Sequence, residues 1–173
     1  MASYLDWTVK TADITERGFK DRLDASAAQR KELAAALEVP ACESLVAEIE
    51  IRPLGVQRFR IDGTVRSKLE RSCVVSLEPV EEKIAERFEV ECRPEGEALI
   101  TSEGEQDILG SQDIQPIRNG MIDLGQLVFE IVAGALDPYP RKEGATFDWR
   151  DPTTGADQSR HGPFAALAKL KPQ

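Results

Sequence analysis

The chain predicts an α+β fold: a curved antiparallel sheet, or partial β-barrel, packed by two main helices. Three observations carry this. Residues 24–38 and 123–136 place apolar side chains at helical spacing. Between residues 45 and 92 the chain alternates apolar and polar residues with the period of two that strands show. Pro40, Pro53, Gly55, Asp62-Gly63 and Glu78-Pro79 punctuate those runs at short intervals.

In chain order, Leu5, Trp7 and Val9 alternate with polar neighbours and predict a short strand over 4–10. Asp24 or Ser26 is placed to cap the first helix, whose body AAQRKELAAALE is built of strong helix formers and puts Leu33 and Leu37 on one face. Pro40 ends it, because Val39 before a proline avoids the α region. A strand over 45–51 turns Leu45, Ala47, Ile49 and Ile51 to one side, with Pro53 and Gly55 breaking it.

Runs 56–61 and 64–69 then flank Asp62-Gly63, a hairpin signal. A two-residue loop would mix charge and apolar groups on both faces. A loop of odd length, with Gly63 inside it, instead gathers Phe59, Ile61, Val65 and Leu69 on the buried face. Arg58, Arg60, Arg66 and Lys68 then line the other face as a strip of cations, which predicts either a charged solvent face or contact with nucleic-acid phosphates. Like charges facing across strands repel, so an anionic neighbour is expected, the chain's own acidic segment among the candidates.

The stretch 69–92 reads as two further strands joined by Glu78-Pro79-Val80, with Cys73 and Cys92 on inward faces as small apolar groups. Residues 81–88 also carry helical charge spacing, but strand is expected from Ala85. Residues 94–119 read as a long, mobile acidic loop. Asp123 caps the second helix, a wide apolar stripe stopped by Asp137-Pro138. A loosely ordered tail is expected from about residue 141, in which Phe164, Leu167 and Leu170 suit a short terminal helix or a partner contact.

At 173 residues and 41% apolar content, the chain is long and apolar enough for a single domain over 1–173. It holds no apolar run near the length of a membrane span, and its first residues do not read as a signal peptide. Cys42, Cys73 and Cys92 are odd in number and lack CxxC spacing, which suits free thiols in the cytoplasm. The net charge of −9 is concentrated: residues 77–113 hold 12 acidic and 3 basic side chains, while the flanking segments balance. That middle segment reads as a solvated loop, or as an arm for a basic partner. Glu95, Glu97, Glu103, Glu105 and Asp107 are its candidate contacts.

One histidine, His161, in a Gly/Pro-containing tail does not build a metal site or a catalytic triad. Neither GxGxxG nor GxxxxGK[ST] occurs. The expectation is a protein that is not an enzyme, with no metal and no cofactor.

Ser72–Val80 (SCVVSLEPV), followed by Ile84 and Phe88-Glu89-Val90, resembles the YceD family, the large ribosomal RNA subunit accumulation proteins. The resemblance continues at IDLGQLV (residues 122–128) and ALDPYPR (residues 135–141). The closing PFAALAKL (residues 163–170) is similar to proteobacterial members, alphaproteobacterial ones in particular. It implies a bacterial cytoplasmic protein of ribosome biogenesis, needed for 23S ribosomal RNA to accumulate and acting without catalysis. Many members have Cys-x-x-Cys where this chain has Cys73-Val74-Val75-Ser76, and further cysteines near the C-terminus that this chain lacks. The implied partner is large-subunit ribosomal RNA or a pre-ribosomal particle, with Arg58, Arg60, Arg66, Lys68, Arg71, Arg141 and Lys142 as RNA-binding candidates. The alternative is an acidic chaperone or adaptor for a basic ribosomal protein.

Overall fold

A computed structural model describes residues 5–97 and 113–147. Its strands are β1 (Thr8–Lys10), β2 (Phe19–Asp24), β3 (Ala41–Gly55), β4 (Arg58–Ser72), β5 (Pro79–Pro94), β6 (Asp113–Ile117) and β7 (Met121–Asp123). Two main helices, α1 (Ala27–Ala36) and α2 (Leu124–Ala135), complete an α+β fold. The main sheet has the order β2-β3-β4-β5-β6, and β1 pairs with β7 beside it. The first three pairings are antiparallel and β5–β6 is parallel. The sheet is therefore mixed, and it ends at β2 and β6 without closing into a barrel.

Ser26, rather than Asp24, caps α1. Its hydroxyl accepts from the Gln29 amide and the Gln29 side chain reaches back to the Ser26 amide, a reciprocal capping box. Asp24 is the last residue of β2. Asp123 caps α2 by accepting from the Gln126 amide at 2.8 Å. Leu33 of α1 and Leu124, Leu127, Val128 and Val132 of α2 join Leu45, Ile51, Ile61, Val65, Leu69, Val90 and Cys92 of the sheet in one buried cluster. Both helices thus lie on one face of the sheet. The opposite face is where the charged side chains project.

The hairpin expected at Asp62-Gly63 is absent. β3 runs through Pro53 to Gly55, turns at Val56-Gln57, and β4 continues unbroken through Asp62 and Gly63. Gly63 is there for space: a Cβ on it would meet the ring of Phe88 and the carbonyl of Glu48. The predicted faces nevertheless hold, because in one continuous strand Phe59, Ile61, Val65 and Leu69 also share parity, and all four are buried. Three other expectations shift. β4 stops at Ser72, so Cys73 to Glu78 form a turn, not a strand end. Residues 81–88 are strand throughout. The loop expected over 94–119 contains β6, which pairs its backbone in parallel with Val90–Pro94 and brings Ile117 into the core.

Candidate nucleic-acid interface

The outward residues of the sheet stack in cross-strand rows. One row is Asp24, Val46, Arg66, Ala85, and the next is Arg22, Glu48, Thr64, Arg87. A third is Lys20, Glu50, Asp62, Glu89, and Ser44, Lys68 and Lys83 make a fourth beyond the first. This geometry divides the face. Near Lys20 and Asp62 the carboxylates crowd, with Glu50 and Glu89 on either side of Asp62. One Asp62 oxygen is buried there without a hydrogen-bond partner. Near Arg66 the cations crowd instead. Arg22, Arg66, Lys68 and Lys83 surround a groove of about 360 Å³ whose floor includes Val46 and Ala85, and among the described residues no acidic side chain lines it.

Each predicted cation has a definite place. Arg58 pairs with Glu97 at 2.8 Å and Arg60 with Glu89 at 3.0 Å. Arg66 reaches Glu48 at 3.4 Å, and that carboxylate also meets Arg22 at 3.2 Å. Lys68 lies 2.6 Å from both Glu43 and Glu81, which hold its ammonium firmly charged. The anionic neighbours expected from sequence are present: Glu81, Glu89 and Glu97 belong to the acidic segment 77–113, and Glu43 and Glu48 to β3.

Arg71 does not belong to the strip. It has inward parity and is half-buried, pairing with Glu82 at 3.0 Å and donating to the Asp137 carbonyl. Glu82 in turn accepts from the Asp137 amide at 2.7 Å, so the pair fastens the end of α2 to the sheet. Arg141 and Lys142 lie by the β4–β5 turn, past the last row Ser72–Pro79. Lys142 pairs there with Glu78 at 3.0 Å. Of the acidic candidates, Glu95 pairs with Arg118 and Glu97 with Arg58. Glu103, Glu105 and Asp107 lie outside the described residues, as does His161.

Arg22 from β2, and Lys83 and Arg87 from β5, are cations of this face that the sequence reading did not name as site residues. For the last two a signal exists, since their parity opposes Ile84 and Phe88. Arg87 makes no ion pair among the described residues.

The cysteines differ sharply. Cys92 is fully buried in the core, and burial first, then Glu91, pushes its thiol up to about 12. Cys42 is also raised by burial. Cys73 is enclosed too, but in a polar cradle. Its sulfur accepts backbone amides of Lys142 at 3.3 Å and of Val75 and Ser76 at 3.4 Å each. The Lys142 amide, followed by Ser76, draws its thiol down to about 6. Among the described residues no group of three His, Cys, Asp or Glu is placed to hold a metal ion. No helix among them is long and apolar enough to cross a membrane.

The molecule is thus an open α+β sheet protein with one apolar face under helices and one charged face that no described element covers. A family model described as Large ribosomal RNA subunit accumulation protein YceD matches residues 61–171, and the chain belongs to that family. The match takes in most of β4 and every described element after it, including Arg66, Lys68, Lys83 and Arg87, and leaves out Arg22, Arg58 and Arg60. Searches of curated proteins and of solved structures found no match.

Proposed function

We propose that this protein is a bacterial, cytoplasmic ribosome-biogenesis factor needed for 23S ribosomal RNA to accumulate, and that it acts by binding RNA, not by catalysis. Family membership ties the chain to large-subunit ribosomal RNA. The observation that carries the binding reading is the gathering of Arg22, Arg66, Lys68, Lys83 and Arg87 from three strands onto one face that no described element covers, in a chain whose net charge is −9. Exposed ion pairs contribute only about 0–1 kcal/mol each, so a phosphate can replace Glu48 or Glu81 at little cost. The adaptor reading would place a basic partner on Glu95 and Glu97 in exchange for Arg118 and Arg58; the family's tie to ribosomal RNA favours RNA as the direct partner.

Filter binding of the full chain to a large-subunit RNA fragment over a salt series tests the proposal. Binding at low salt that weakens log-linearly with salt supports it. Absence of binding at low salt ends it.

A further inference from the structure

Resting on that RNA-binding reading, we infer that the groove between Arg22, Arg66, Lys68 and Lys83 receives an unpaired stretch of RNA, with the strand's bases or riboses on Val46 and Ala85 and its phosphates on the four cations.

Val46, Arg66 and Ala85 stand side by side in one cross-strand row. Its two short apolar side chains flank one long cation, so the surface dips on each side of the Arg66 stem. Ser44, also short, extends the depression along β3. The walls are Arg and Lys side chains, whose methylene stems are apolar and whose heads stand at the rim. The result is a concavity with an apolar floor and a cationic rim. Duplex RNA offers a protein mainly phosphates and 2′-hydroxyls, and its bases stay in the stack, so it would meet the rim and leave the floor empty. An unpaired strand offers both a flat apolar face and phosphates, and arginine planes as well as aromatic rings stack on bases.

The rim is available for exchange. Arg22, Arg66 and Lys83 keep 65, 60 and 74% of their side-chain surface exposed, and their carboxylate partners stand outside the groove lining. The neighbouring groove on the same face is lined by Asp21, Glu48, Glu50 and Asp62 as well as Lys20 and Arg22, which disfavours phosphate and sets one boundary to the site.

The test is fluorescence anisotropy with the full chain. The probes are a labelled oligouridylate of about ten nucleotides, within the span of single-strand sites, and a duplex RNA of equal length. The single strand is expected to bind at least about tenfold more tightly than the duplex, with a salt slope approaching −3 if all four cations meet phosphates at about 0.7 each. Ala85→Glu, at an exposed position, is expected to lower single-strand affinity about tenfold or more by filling the floor with a carboxylate. Arg66→Gln should lower it and reduce the salt slope by about 0.7. An unchanged melting temperature shows that each variant is folded. Equal affinity for both RNAs, with Ala85→Glu affecting both alike, overturns the groove and leaves the RNA reading standing. Displacement of the single strand by polyglutamate at matched charge concentration overturns the groove as well, since charge alone would then explain binding. Failure to bind either RNA at low salt overturns the RNA reading itself.

Discussion

Phe88 of β5 lies over Gly63 of β4, its paired residue across the sheet, where a glycine leaves room for the ring. A Cβ at Gly63 would also press on the Glu48 carbonyl of β3, so the crowding comes from both neighbours of a central strand. Gly63→Ala is expected to destabilise the protein by about 1–3 kcal/mol, the usual cost of overpacking. Urea unfolding measures it. In a double-mutant cycle with Phe88→Ala the two losses should be less than additive, because removing the ring relieves one of the two clashes. Strict additivity would show that the ring is not what Gly63 accommodates.

That contact also shows why part of the fold was legible and part was not. The faces of β4 follow from local alternation of Phe59, Ile61, Val65 and Leu69, and burial enforces them whatever the turn does. The break expected at Pro53 and Gly55 falls beside the true turn, but a second turn was placed at Asp62-Gly63 because that pair looks like a hairpin, whereas the glycine answers to Phe88, 25 positions on in a neighbouring strand. Val56-Gln57, the true turn, has neither the glycine nor the asparagine that marks such sites; Gln57 adopts a positive φ of 54° without them. β2 and β6 are short edge strands, so they carry little periodic signal and owe their place to pairing with β3 and β5. The candidate site has the same history. Arg66 and Lys68 could be read from one strand, but Arg22 joins them only through the strand order. Arg71 was added to the RNA-binding candidates without regard to its parity, which turns it toward the helix.

A contrast between two glycines of α2 follows from packing. At Gly125 a Cβ would collide with the Leu5 carbonyl, and the Gly125 amide donates to the Trp7 carbonyl at 2.9 Å, so the N-terminal segment lies directly on the helix. At Gly134 nothing stands within 4 Å. Gly125→Ala should therefore lower stability by about 3 kcal/mol, at the upper end for overpacking against backbone that cannot swing aside. Gly134→Ala should raise it by about 0.5–1 kcal/mol through helix propensity. Thermal melts of the two variants should move in opposite directions.

Arg71 and Glu82 form a half-buried pair whose role is to hold Asp137. Arg71→Gln is expected to cost about 1–3 kcal/mol, as for a charged hydrogen bond removed from a partly buried partner, while leaving RNA affinity within about twofold. Lys68→Gln should do the reverse, because its ion pairs are exposed and its position borders the groove. Measuring chemical unfolding and RNA anisotropy on the same two variants separates fastening from binding. A loss of RNA affinity in Arg71→Gln comparable to that in Lys68→Gln would return Arg71 to the interface.

Cys73 should titrate alone. Its thiol is drawn down to about 6, while Cys92 is pushed up to about 12 and Cys42 is also raised. Ultraviolet thiolate absorbance of the native protein should therefore show one step near pH 6 with the amplitude of a single thiol, absent in Cys73→Ser. Lys142→Pro, which removes the strongest of the amide donors, should move that step upward. The sign for stability follows from the direction of the shift. A group whose pKa is lower folded than unfolded binds fewer protons in the native state, so stability rises with pH between the two values. The contribution of Cys73 is complete above its ordinary value of 9.0 and is lost as the pH falls through about 6. Between those limits, the unfolding midpoint of the wild type should gain on that of Cys73→Ser as pH rises. Parallel midpoints across that window would mean that the three amides do not stabilise a thiolate.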